Sequence, residues 1–381
     1  MLLTPSVRAE SETLRELGLK AIKLTHNLQY DEANKIFDEM IRMEPENAMG
    51  YFFKSACYYW MEDYSLASGK EYRDISFKAA DLAKSMLDKN KDDIDAMFYL
   101  GCIYGKLGLH YGEYGHYIKA IWYGSRGIKY LKKVVEKDPN YYDAYAGLGI
   151  YDYYLSVLPK VVKALSFLIG KYGDREKGLD EMKLTASKGT YAKDEAKIAL
   201  ADVYFTFEKN YETAIPVYVE LTTDFPQNYY FLRRLGICYQ RVKKYDEALA
   251  AFEEAVKQNP NDISYRLNIG WVYVDSSQYD KAFKTFEKMI EDDPTFSNSY
   301  YQMGRTSIIS GQRLEEADKY LLKYLDMKKF EHSPSEAWAH YRLGQVYEMT
   351  GRIDQEKEQY KTALKLDRGH KEAREALEKL K

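Results

Sequence analysis

The sequence predicts an all-α chain: a right-handed superhelix (an α–α solenoid) of about nine helix pairs, with two insertions and a C-terminal capping helix. Three observations carry this. Pro226, Pro260 and Pro294 stand 34 residues apart. Between them the same residue types return in step: Leu235-Gly236, Tyr239, Tyr245, Ala248, Phe252 and Ala255, then Ile269-Gly270, Tyr273, Tyr279, Ala282, Phe286 and Met289. Hydrophobic residues make up 45% of the 381 residues, ample for a core, yet they fall at helical spacing. A fixed period of this length means that each helix pair buries the flank of the next.

The pairs follow in order. The first, from Leu14, carries Leu17, Ala21, Leu24, Tyr30, Ala33, Phe37 and Met40 and ends at Pro45. The second begins near Ala48 and has a long second helix, about 70–87. The third carries Leu100-Gly101 and Tyr104, then an extra stretch, 105–124, before a helix that stops at Pro139. The fourth carries Leu148-Gly149, then an insertion, 158–173, then a helix from Asp174. The fifth has Leu200-Ala201, Tyr204, one extra turn residue, Tyr211, Ala214 and Tyr218. The sixth and seventh are the regular pairs above. The eighth has Met303-Gly304 and Ala317, again with one extra residue, and the ninth Leu343-Gly344, Tyr347 and Tyr360. The expected organisation is a tail at 1–13, an irregular half at 14–192, a regular array at 193–370 and a charged capping helix at 371–381.

The spacing has a physical cause. Small residues at the eighth and twentieth positions of a unit let its two helices approach, and aromatics fill the wedge between units. Proline stands where one helix must stop, and Asp or Asn beside it starts the next.

Composition excludes several classes. The net charge is −3, and Lys and Arg are scattered, so no basic field is expected to hold nucleic acid or anionic lipid. Cys57, Cys102 and Cys238 are too few and too spread for a disulfide framework or a zinc site and read as small buried hydrophobes. No apolar run reaches the roughly 18–20 residues of a membrane span. The first nine residues, ending Val7-Arg8-Ala9, read either as a frayed terminus or as the tail of a secretory signal. The chain is cytoplasmic on the first reading, and exported to the periplasm on the second if its start lies upstream of Met1. There is no G-x-S-x-G, no H-E-x-x-H and no P-loop: Gly173-x4-Gly178 is followed by Leu179, so the phosphate-cradling lysine is missing. No enzyme activity, cofactor or metal is expected; His110 and His116 stand six apart without a third ligand.

The 34-residue pattern with Leu-Gly, Tyr, Tyr, Ala, Phe and Pro resembles the tetratricopeptide repeat (TPR) superfamily. The resemblance covers nearly the whole chain and is sharpest in the sixth and seventh units. Residues 158–179, Leu158-Pro159-Lys160 through Gly173-Asp174-Arg175-Glu176-Lys177-Gly178-Leu179, also resemble the LPP…GDREKGL block of the tetratricopeptide repeat 39 family and related bacterial exported repeat proteins. Lys160 stands where that block has a second proline. The first resemblance implies a scaffold that holds a protein partner. The second implies adaptors linked to membranes. Co-chaperones with this repeat grip a C-terminal carboxylate with a five-residue clamp. In that frame this sequence offers Arg233, Ile237, Asn268, Asn298 and Gln302; only Asn268 matches, so the clamp is not expected.

Three candidate sites follow. The face built from the first helices of units six to nine, expected to be concave, carries Tyr230, Arg233, Arg241, Trp271, Asp275, Tyr301, Arg305, Trp338, Tyr341 and Gln345. Trp, Tyr and Arg are the residue types of interface hot spots, although some of these side chains could instead pack between neighbouring units. The stretch 105–124 holds the aromatic patch Tyr111, Tyr114, Tyr117 and Trp122 beside glycines at 105, 108, 112 and 115. It reads as a smooth stripe on which a helix lies, or as a ligand-stacking surface. The segment 158–169 is apolar over most of its wheel and reads as packing inside the superhelix or as peripheral membrane contact. The primary expectation is a non-enzymatic adaptor that binds a peptide or helix of another protein in its concave groove. The alternative is an exported cell-envelope protein that binds a small ligand or glycan in a closed aromatic pocket around Tyr111–Trp122.

Overall fold

A computed structural model describes residues 12–63, 66–158, 173–329 and 333–380. The N-terminal residues read as a leader remnant, and nearly all of the 158–173 insertion, lie outside them. Among the described residues there are nineteen helices and no strand. The chain divides into two compact units, one ending at Asn228 and one beginning at Tyr229.

The first unit holds five helix pairs: α1 (Glu12–His26) with α2 (Tyr30–Met43), α3 (Ala48–Asp63) with α4 (Gly69–Lys89), α5 (Ile94–Glu113) with α6 (Tyr117–Lys137), α7 (Asp143–Val157) with α8 (Arg175–Lys188), and α9 (Lys193–Asp202) with α10 (Tyr211–Asp224). Each helix forms because its apolar residues recur every three to four positions. In α2 these are Tyr30, Ala33, Phe37 and Met40, all buried. Starts are marked by short polar caps that satisfy first-turn N–H groups. Ser68 and Glu71 form a reciprocal capping box on α4, and Asp93, Asp174 and Asn210 cap α5, α8 and α10.

The stretch expected as an insertion at 105–124 is not a separate element. It lengthens both helices of the third pair, to 20 residues in α5 and 21 in α6. The glycines permit this. A Cβ at Gly108 would lie 2.9 Å from the Gly124 nitrogen, and one at Gly127 would lie 2.7 Å from the Gly101 oxygen, so the two backbones touch where no side chain intervenes. The extra residue of the fifth pair is absorbed by a π-helical turn, Val203–Phe207, after α9, the usual way a helix takes in one residue.

The first unit closes on itself. The side-chain N–H of Asn228 donates to the His26 carbonyl at 2.7 Å, and the Gln227 N–H donates to Asn27 Oδ1 at 2.9 Å. Across the middle, Phe53 meets Tyr191 at a 5.1 Å ring distance, and Lys106 on α5 bonds Glu195 on α9.

The second unit holds α11 (Tyr229–Arg241) with α12 (Tyr245–Gln258), α13 (Ser264–Asp275) with α14 (Tyr279–Asp292), α15 (Ser297–Ser310) with α16 (Leu314–Asp326), α17 (Glu336–Met349) with α18 (Ile353–Leu366), and the cap α19 (Lys371–Glu378). Here one contact repeats. The glycine of each first helix faces a large side chain of its partner: Gly236 on Phe252, Gly270 on Phe286, Gly304 on Leu321 and Gly344 on Tyr360.

Candidate functional sites in the two units

In the second unit the expected binding face is carried by α11, α13, α15 and α17, and its residues meet different fates. Arg241 and Asp275 are exposed; Tyr230, Arg233, Trp271, Arg305, Trp338, Tyr341 and Gln345 are half-buried. Tyr301 is buried, with its ring 5.2 Å from that of Tyr324 in the core. Asp275 accepts from Gln240 at 2.7 Å, which ties α13 to α11. The Arg233 guanidinium lies 6.0 Å over Tyr265. Trp338 and Tyr341 both pack against His370 at the start of the cap, with ring distances of 4.4 and 5.0 Å.

The sequence pattern missed Arg342. It stacks on Trp338 and Tyr341 and donates to Gln345 Oε1 at 2.7 Å. Burial and the charge of Arg342 both pull the Arg305 guanidinium below its ordinary pKa, against a weaker opposing pull from Asp275. The side-chain partner of Arg305 is the neutral Gln302, 3.4 Å away. The like charges of Arg305 and Arg342 thus act on one another with no carboxylate hydrogen-bonded to either among the described residues. On the same helices the buried Trp271 Nε1, Asn298 Oδ1 and Asn268 Oδ1 have no hydrogen-bond partner among the described residues.

In the first unit the four aromatics of the expected patch go to three places. Tyr111 stacks on Tyr123 at 5.3 Å, and Trp122 meets the same ring edge-on at 4.6 Å with Arg126 over its own face. The Tyr114 hydroxyl donates to Glu62. Tyr117 reaches the wall of a cavity of about 430 Å³, which none of the other three lines. Helices α1, α2, α3, α5, α6, α7 and α9 all contribute to this cavity, with Phe52, Trp60, Leu109, Ile121 and Ile150 among its apolar walls. Its polar residues include His26, Lys106, Glu113, Asp143 and Glu195. Burial raises the Glu195 carboxyl, but Lys106 and His26 more than offset this and leave its pKa below the ordinary value. The pair with Lys106, at 2.5 Å, is therefore ionic.

The thiols of Cys57 and Cys238 are both pushed up to about 12 by burial, and that of Cys102 is pushed higher. No group of three or more His, Cys, Asp or Glu side chains placed to hold a metal occurs among the described residues. No described helix is long and apolar enough to cross a membrane.

Tetratricopeptide repeat models match residues 229–262, 263–296 and 339–370, and a PPR repeat model matches 23–44. The chain carries tetratricopeptide repeats over those three segments, a fold that serves as a scaffold for protein interactions. No curated protein matches. Among solved structures, the chain is similar to a tetratricopeptide repeat protein from Parabacteroides merdae, with 17% identity over 73% of this chain and 98% of that one and a TM-score of 0.49. It is similar to yeast Tom70 at 13% identity over 97% of this chain and 88% of that one, TM-score 0.46. It is also similar to YrrB, described as a TPR protein with an unusual peptide-binding site, at 19% identity over 48% of this chain and 91% of that one, TM-score 0.36.

Proposed function

We propose that the protein is a non-enzymatic interaction scaffold whose second unit takes an acidic segment of a partner protein, as peptide or helix, along the first helices of its repeats. The observation that carries this is that the like charges of Arg305 and Arg342 act on one another with no carboxylate hydrogen-bonded to either among the described residues. Guanidinium groups on an aromatic-lined surface recognise carboxylates through forked, charge-assisted hydrogen bonds. Trp271 Nε1 on α13 and Asn298 Oδ1 on α15, without hydrogen-bond partners among the described residues, are a donor and an acceptor of the kind a peptide backbone pairs with.

The test is fluorescence anisotropy with an acidic amphipathic peptide and with its Glu→Gln counterpart. The acidic peptide binds at least about tenfold more tightly, its affinity falls with salt, and Arg305→Ala combined with Arg342→Ala removes the difference. Equal binding of the two peptides, or binding unchanged in the double variant, overturns the proposal.

A further inference from the structure

We propose that the cavity in the first unit binds a neutral amphiphile: a long apolar chain ending in an uncharged, hydrogen-bonding head such as a hydroxyl or an amide. The cavity's size, about 430 Å³, falls within the roughly 300–1,000 Å³ of small-molecule sites. Protein interiors are otherwise close-packed, with few voids larger than a water molecule. The unit closes through Asn228 and His26, and the cavity it holds is partly open, with a volume of only about 430 Å³. That suits a slender chain better than a helix about 10–12 Å across.

The wall is kept smooth at a cost to the helix. Gly105 lies in the middle of α5, where glycine is a poor helix former. A Cβ there would meet no atom of the described residues within 4 Å, and Gly105 lines the cavity. Packing against α6 explains Gly101 and Gly108, but not the open side of Gly105. The space in front of it is what the glycine preserves.

The polar residues set the head group. Lys106 is the only Lys or Arg among the described lining residues, and Glu195 pairs with it. Asp143 Oδ1 accepts from the Thr190 and Ala192 N–H groups at 2.7 and 2.9 Å. Glu113 Oε1 accepts from the Tyr59 hydroxyl at 2.9 Å. Among the described lining residues no cation is left over to meet an anionic head. Asp143 and Glu113 already accept hydrogen bonds from within the protein. What remains is His26, 95% buried, lining the cavity, with no hydrogen-bond partner for Nδ1 among the described residues. Burial favours the neutral imidazole. Its Nε2 faces Glu195 at 4.0 Å, which leaves Nδ1 to accept from a hydroxyl or amide hydrogen.

Isothermal titration below the micelle threshold tests this with three probes of equal chain length: 1-lauroylglycerol, laurate and dodecyltrimethylammonium. The neutral probe binds the full chain at least tenfold more tightly than either charged one. Gly105→Phe, which projects a ring into the cavity, weakens it at least tenfold with the helical circular dichroism retained. Gly112→Leu serves as a second blocking variant, because a Cβ there meets only Ala120, at 3.7 Å. Any of four results overturns the proposal: no binding of 1-lauroylglycerol to the folded chain, equal binding to both blocking variants, a charged probe matching the neutral one, or an apolar helical peptide occupying the site that 1-lauroylglycerol does not enter. The acidic-peptide titration involves only the second unit, so the two proposals fail separately.

Discussion

Gly270 on α13 lies against the ring edge of Phe286 on α14, so close that a Cβ on the glycine would fall within the ring's contact radius. Phe286 is fully buried and cannot swing away, because Phe283, Met289 and Met303 fill the same core. Gly270→Leu therefore forces the helices of the pair apart, and a destabilisation of about 1–3 kcal/mol is expected. Urea unfolding would show it as a lower midpoint at constant slope. An unchanged midpoint would mean that the pair packs differently.

Two glycines of α5 separate packing from space. A Cβ at Gly108 would meet the Gly124 nitrogen at 2.9 Å and the Ala120 carbonyl at 3.0 Å, both backbone atoms that cannot yield. Gly108→Ala is expected to destabilise. A Cβ at Gly105 meets no atom of the described residues within 4 Å, so Gly105→Ala gains helix propensity and is expected to stabilise by about 0.5–1 kcal/mol. Thermal melts of the two variants, three positions apart on one helix, should move in opposite directions. A loss of stability in both would show that the wall at Gly105 is closed.

The motif at 173–179 earns a structural role within the first unit. Asp174 caps α8, Lys177 bonds Asp152 at 2.7 Å, and a Cβ at Gly178 would touch the Gly149 carbonyl at 2.7 Å. Arg175 and the hydroxyl of the fully buried Tyr153 converge on Glu208, at the end of the π turn. The Arg175 contact is the main cause that keeps the Glu208 carboxyl below its ordinary pKa. Because Arg175 is half exposed, most of the cost of Glu208→Ala comes from the stranded tyrosine hydroxyl, and about 1–2 kcal/mol is expected. Tyr153→Phe combined with Glu208→Ala should then cost little more than Glu208→Ala alone. Additive losses in the double-mutant cycle would rule out the coupling.

The helix pairs were legible because their signals are local: Leu-Gly, Tyr, Ala and Pro at fixed offsets, and caps one residue before a helix. The long-range events were not. Asn228 and His26 are separated by about 200 residues, and each looks like an ordinary polar residue in a turn. Lys106 and Glu195 read as two solvated charges until the unit closes and buries them together. Tyr301 shares the periodic position of the expected binding residues, but Tyr324 on the next helix draws it inward. Arg342 fell outside the repeat positions scored as concave, and its importance comes from a neighbour on another helix. Periodicity reports which side of a helix is apolar; it carries no information about which charges meet when pairs stack.

His26 gives the first unit a pH dependence whose sign follows from burial. Desolvation holds its imidazole below the ordinary 6.5 despite the pull of Glu195 and Asp194, and Lys106 adds to the depression. His110 is depressed in the same way, mainly by burial, with Glu62 opposing and Arg73 assisting. In the fold these rings stay neutral; unfolded, they take up a proton below about pH 6.5. The unfolded state then binds more protons, so their contribution is intact above that pH and is lost as pH falls toward the folded-state values. Asp95 and Asp143, whose carboxyls burial pushes up, have the opposite sign at lower pH. The comparison that isolates the imidazole is therefore wild type against His26→Gln at pH 7.5, 6.5 and 5.5. The wild-type melting temperature should fall more steeply over that range than the variant's. Parallel slopes would mean that His26 is protonated in the folded chain and that its Nδ1 is a donor rather than an acceptor.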